Sequence, residues 1–156
     1  MSGMGYAEVM LDINSGLRIS KFINKLEEQL GETIDAIPIN KLHATLMYDS
    51  SNPKIYPTIS NAAYKAEVIG IDLLGELGSK WGAAVLLLKC PELIKRFKQL
   101  KDMGFNHSYD DLLLHVSLSY GEATSKLWPL LQEAERKGEL PSSVVLCKET
   151  WSVCDD

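Results

Sequence analysis

The chain has 156 residues, 46% of them hydrophobic and 24% charged, with a formal net charge of −5 and a pI near 5.2. That length and composition suit one domain, or two small lobes sharing a core. The acidic balance argues against a binder of long nucleic acid, whose affinity rests on a basic surface, and leaves room for a small anionic ligand in a local pocket.

Taken in order, the start Met1-Ser2-Gly3-Met4-Gly5 lacks the basic flank and apolar core of a signal peptide. Tyr6 to Ile13 reads as a strand, with Val9 and Leu11 on one face. Asn14 or Ser15 can cap the helix that follows, Leu17 to Leu30, whose apolar residues recur at helical spacing before Gly31 stops it. Asp35 to Asn40 is extended, and a strand over 42–48 comes next. After the loop at 49–53, Tyr56 to Lys65 is expected to form a short helix and Ala66 to Leu77 a strand. The run from Gly82 to Leu88 is strand-sized, too short to span a membrane, and no membrane association is expected.

The order then repeats. Trp81 to Cys90 is a strand, and Pro91 opens a helix with Lys95, Arg96, Lys98 and Lys101 outward. Phe105 to Asp111 is a polar loop, and a strand over 114–120 follows. A helix capped by Thr124 or Ser125 runs to about Lys137, and Ser143 to Val153 is a final strand. The reading is β-α-β-α-β written twice, with half-repeats at about 5–77 and 81–154 and no linker between them. Cys90, Cys147 and Cys154 are an odd number without a C-x-x-C pair. They read as reduced thiols in a cytoplasmic setting.

The middle strand of each half carries the same short pattern. One is Leu42-His43-Ala44-Thr45-Leu46-Met47-Tyr48, the other Leu114-His115-Val116-Ser117-Leu118-Ser119-Tyr120. Strict alternation predicts His43, Thr45 and Met47 on one face, with Leu42, Ala44, Leu46 and Tyr48 on the other. Likewise His115, Ser117 and Ser119 oppose Leu114, Val116, Leu118 and Tyr120. Residues two apart on a strand lie roughly 6.5–7 Å apart, so an imidazole and a hydroxyl can converge on one phosphate. If the halves pack about a pseudo-twofold axis, the motifs meet.

Phosphodiester cleavage needs a base, an acid and donors for the charged oxygens. Histidine suits both proton roles, and Thr45 and Ser117 can hold the non-bridging oxygens. Which histidine is base and which is acid stays open. His43, His115 and His107 are not paired with Asp or Glu at metal-ligand spacing, so no metal and no cofactor is expected. A histidine flanked by apolar residues is more often a core residue than a catalyst. Here two of only three histidines stand at matching places in a duplicated order, which favours catalysis.

The pairs His43-Ala44-Thr45-Leu46 and His115-Val116-Ser117-Leu118 resemble the two-histidine (2H) phosphoesterase superfamily, with its LigT-like members. The resemblance implies an α+β, bilobal fold with antiparallel sheets around a central cleft. It also implies metal-independent cleavage of 2′,3′-cyclic or 2′-5′/3′-5′ nucleotide substrates. Within the superfamily the chain is similar to phage anti-CBASS nucleases, which implies a small cyclic di- or trinucleotide immune signal as substrate. Two alternatives stand beside it: an RNA-end 2′,3′-cyclic or 2′-5′ phosphodiesterase, and a non-catalytic nucleotide-binding module.

Bases need flat partners. Trp151, with Glu149 to accept from a base amino group, and Tyr6 on the first strand are the candidates for substrate binding. Trp81 and Trp128 read as structural, Lys41 and Lys80 as possible phosphate steering groups, and His107 as an exposed or lid residue of its loop.

Overall fold

The computed structural model describes residues 3–109 and 111–154. Met1 and Ser2, with which the sequence reading begins, lie outside them. Among the described residues, six strands and three α-helices run in the order β1 (Tyr6–Leu11), α1 (Ile13–Leu30), β2 (His43–Tyr48), β3 (Tyr64–Leu74), β4 (Ala83–Lys89), α2 (Pro91–Asp102), β5 (His115–Tyr120), α3 (Glu122–Arg136) and β6 (Ser143–Ser152), with a 3-10 turn over Ile39–Lys41 before β2. The fold is α+β.

The first helix starts earlier than its apolar period suggests. Asp12 is its cap, accepting from the Ser15 N–H at 2.8 Å. The Ser15 hydroxyl is thereby free to accept from the N–H of Val145 at 2.7 Å, which ties α1 to β6. Gly31, at φ 79°, ends the helix with its N–H on the Glu27 carbonyl. Further on, α3 begins directly after Gly121, so Thr124 and Ser125 lie inside it rather than at its cap. The buried Thr124 hydroxyl instead donates to the Gly82 carbonyl at 3.0 Å.

No helix forms over Tyr56–Lys65. Residues 57–63 have no regular structure, and Tyr64 and Lys65 already pair with Leu146 and Val145 of β6. Tertiary partners satisfy the backbone that a helix would have satisfied internally. Arg96 Nη2 donates to the Thr58 carbonyl at 2.9 Å, and the Ser60 N–H donates to Glu149 Oε2 at 3.4 Å. The first half is therefore β-α-β-β, and only the second is β-α-β-α-β.

The strands form one six-stranded sheet, every neighbouring pair antiparallel, in the order β2-β1-β6-β3-β4-β5. Exchanging the first three strands for the last three leaves this order unchanged. Met10 pairs with His43 and Glu8 with Thr45; Leu87 pairs with His115 and Val85 with Ser117. The two motif strands are the sheet's edges. They come into contact with each other, and the Ile37 N–H, ahead of β2, donates to the Leu118 carbonyl of β5 at 2.9 Å. Ile19, Leu26, Leu93, Leu100, Leu127 and Leu131 of the helices join Val9, Ala44, Leu86, Val116 and Leu146 of the strands in one core. At ~25 cal/mol per Å² of apolar surface removed from water, that core is the main term holding the edges in place.

Candidate active site

Each motif strand carries a bulge, and the bulge reorders the expected faces. The register shifts between Ala7 and Glu8 opposite β2, and between Ala84 and Val85 opposite β5. Leu46 and Met47 are consequently both buried, as are Leu118 and Ser119. A bulge places two residues opposite one and shifts the alternation by one step. Met47 and Ser119 leave the histidine face, and Tyr48 and Tyr120 join it. The Ser119 hydroxyl is spent on Thr124 at 2.8 Å.

The histidines open their strands in the same way. His43 Nδ1 lies 2.8 Å from the Lys41 carbonyl, and His115 Nδ1 lies 2.7 Å from the Leu113 carbonyl. A carbonyl only accepts, so each Nδ1 carries a proton, and in the neutral ring Nε2 presents its lone pair. Both imidazoles are partly exposed, which sets them apart from sealed core histidines.

Beyond the motifs, the first half adds a polar relay. His43 Nε2 is 3.4 Å from Glu8 Oε2. The Tyr6 hydroxyl donates to the same carboxylate at 3.2 Å and lies 3.3 Å from Thr45 Oγ1. Burial, together with Glu8 and Tyr120 and against the Thr45 hydrogen bond, pushes the Tyr6 phenol up to about 12, so it stays protonated. Tyr6, Thr45, Tyr48 and His115 line one cavity of about 450 Å³. The cavity thus joins a hydroxyl of the first motif to the imidazole of the second. His43 and Ser117 share the strand faces of Thr45 and His115 but are not among its lining residues.

Glu8 escaped the sequence reading. The available signal was its place two residues after Tyr6, on the face of β1 away from Val9. His107 is more ordered than its polar loop suggests. Its Nδ1 accepts the Tyr48 N–H at 3.0 Å, and its ring meets Phe97 edge-on at 5.1 Å. Burial, and then nearby Lys101, hold this imidazole below its ordinary pKa, with Asp49 pulling the other way.

Glu149 and Trp151 lie elsewhere. Glu149 is buried and accepts from Arg96 Nε at 3.0 Å, Arg96 Nη2 at 2.9 Å and Trp151 Nε1 at 3.0 Å. Burial opposes its charge, but Arg96 and Trp151 outweigh burial and hold its carboxyl below the ordinary range. Arg96, expected to point outward, is instead largely buried by this bidentate pair. Trp151 packs against Phe105 at 4.8 Å and borders a separate hollow of about 180 Å³ beside Tyr56 and Pro57. Trp128 packs on the core as expected. Trp81, expected to be structural, is 73% exposed under the Lys80 ammonium, 6.5 Å from the Tyr120 ring. Lys41 contributes its carbonyl to His43.

Among the described residues, no three or more His, Cys, Asp or Glu side chains are arranged to hold a metal ion, and no helix is long and apolar enough to cross a membrane. The model of the family described as "Anti-CBASS protein Acb1" matches residues 6–150. The anti-CBASS protein Acb1 of Vibrio phage KVP40 is 29% identical over 89 residues, which cover 57% of this chain and 57% of the phage protein. That match spans little more than half of the relative's length, whereas the family match takes in nearly all of this chain: the chain belongs to the family of Acb1 anti-CBASS proteins.

Proposed function

We propose that the protein is a metal-independent phosphodiesterase of the two-histidine type, cleaving the 3′-5′ linkages of cyclic di- or trinucleotide immune signals in the host cytoplasm. His43 and His115 are the acid–base pair, and Thr45 and Ser117 hold the non-bridging oxygens. The observation that carries this reading is the repeated Nδ1–carbonyl contact, which leaves both Nε2 atoms for proton transfer, that of His115 at a cavity lined also by Thr45 and that of His43 beside Glu8. The mirrored strand order and paired bulges support the bilobal, pseudo-twofold organisation that such a site needs.

In the simplest step one imidazole takes the proton of the substrate's 2′-OH. The O2′–P bond forms as the P–O5′ bond breaks, and the other imidazole protonates O5′. The product is a linear nucleotide ending in a 2′,3′-cyclic phosphate. Tyr6 contacts the substrate from within the cavity. Trp151, its indole N–H held by Glu149, offers a second flat face on the neighbouring hollow.

The deciding experiment incubates the protein, in EDTA, with 3′,3′-cyclic dinucleotides, cyclic trinucleotides and RNA ends bearing 2′,3′-cyclic phosphates, and identifies products by mass. Ring opening is the expected result. Cleavage confined to RNA ends would move the protein to the RNA-end class, and binding without turnover would make it a nucleotide-binding module.

A further inference from the structure

Part of the wall of this cavity is aromatic. The Tyr48 and Tyr109 rings lie 5.6 Å apart, tilted by only 34°, and His107 stands 5.8 Å from Tyr109. All three line the same cavity as Thr45 and His115. Tyr109 is 65% exposed, so a ring face remains open at the rim.

This aromatic wall is built in advance. The Tyr48 N–H donates to His107 Nδ1, and the Ser108 N–H returns a 2.7 Å bond to the Tyr48 carbonyl. The N–H of Asn106 donates to Asp49 Oδ2 at 2.8 Å, and that of Ser50 to Ser108 Oγ at 3.0 Å. A loop pinned at four points does not have to be ordered when a ligand arrives. With Nδ1 already accepting, the neutral His107 ring carries its proton on Nε2 and acts there only as a donor.

The lining chemistry separates a base from a phosphate. Among the described residues no lysine or arginine lines this cavity, and Asp111 does. A second phosphate would meet a carboxylate and no permanent cation. A neutral flat base would meet two rings, each able to stack, with such contacts worth about 1–3 kcal/mol per base.

We propose that Tyr48, Tyr109 and His107 form a nucleobase subsite, in which the rings stack one base of the substrate and the His107 Nε2–H donates to an acceptor on that base. The proposal rests on the cyclic-nucleotide reading above and adds the place where a base sits while the phosphate lies between the motifs.

The test measures binding of the bis-phosphorothioate analogue of cyclic di-AMP by calorimetry to the wild-type protein, Tyr109→Leu and Tyr109→Phe. Tyr109→Leu should weaken binding about tenfold, and Tyr109→Phe by less than about twofold, because stacking needs the ring and not the hydroxyl. A 2-aminopurine version of the ring should be quenched equally by the wild type and by Tyr109→Phe, and less by Tyr109→Leu, where Tyr48 alone remains. Equal affinity and equal quenching in all three would overturn the subsite, even if the unmodified ring is cleaved. Tyr109-dependent binding without cleavage would keep the subsite and remove the catalytic reading. No binding by the wild type would remove both. Tyr109 is a surface residue, and matching melting curves of the three proteins separate lost contact from lost fold.

Discussion

The two motif strands share a backbone frame and differ in what faces it. In both, the histidine opens the strand and gives Nδ1 to the carbonyl two residues earlier, and a bulge turns a tyrosine onto the histidine face. Across from Thr45 stands Glu8, whose carboxylate reaches His43 and the Tyr6 hydroxyl. Across from Ser117 stands Val85, fully buried and apolar. The backbone therefore repeats the imidazole's orientation, while the neighbouring strand gives only one imidazole a carboxylate. Two histidines made alike by the main chain are made unlike by two side chains on β1.

The harshest way to break this comparison is to remove each imidazole separately. His43→Ala and His115→Ala should each lower kcat about 10²–10⁴-fold, the range for losing a positioned acid or base, with unchanged melting temperatures because both rings are partly exposed. Turnover measured on the cyclic dinucleotide that the wild type opens is the readout. If one variant retained full activity, the frame would be duplicated and the chemistry would not.

Removing the asymmetry itself comes next. Glu8→Gln keeps the shape and the hydrogen bond from Tyr6 while deleting the charge beside His43. It should lower kcat about 10–100-fold with little change in KM, the cost of loosening a reacting group held in place. Combined with His43→Ala it should add almost nothing, since both act on one unit, whereas combined with His115→Ala it should add fully. Equal behaviour in the two backgrounds would mean that Glu8 serves the fold and not His43.

A further variant leaves the motifs intact and tests what ties β6 to α2. Arg96→Met leaves the buried Glu149 carboxylate without its main partner, and should destabilise the protein by about 3 kcal/mol. The folded pKa of Glu149 is depressed, so its charge contributes stability above the unfolded carboxyl value of 4.5, and that contribution is lost as pH falls through the lower folded value. Urea titrations at pH values on either side of that limit should show a steeper acid loss in the wild type than in Glu149→Gln.

Much of this could be read from the residues in order. The alternation around His43 and His115 marks two strands, and the apolar periods of α1 and α2 mark two helices, because those signals are local. What failed to show was set by partners distant in sequence. Nothing in Leu46-Met47 or Leu118-Ser119 announces a bulge; it arises from pairing with β1 and β4, and it decides that Tyr48 and Tyr120 face the site. Residues 56–65 have composition enough for a helix turn, but pairing with β6 and the Arg96 contacts take that backbone. Arg96 itself sits at an outward position by helical period, and only the arrival of Glu149 from the last strand explains its burial. Glu8 shows the same limit from the functional side, since a lone acid on a strand means little until the strand beside it is known.

The smallest expected effect tests the relay at its middle member. Tyr6→Phe keeps the ring in the cavity and removes the hydroxyl between Thr45 and Glu8. At neutral pH it should lower kcat only about 2–10-fold, because the hydroxyl orients Glu8 and Thr45, which strand pairing also holds in place. Alkaline stability gives an independent reading of the same group. The folded pKa of Tyr6 is raised from 10.0 to about 12, so its stabilising contribution is complete below pH 10.0 and is lost as the pH rises toward about 12, where the unfolded chain ionises first. Tyr6→Phe should flatten that part of the stability curve. If kcat and the curve were both unmoved, the polar relay of the first half would carry no more weight than the apolar surroundings of the second, and the side chains of β1 would not be what distinguishes the histidines.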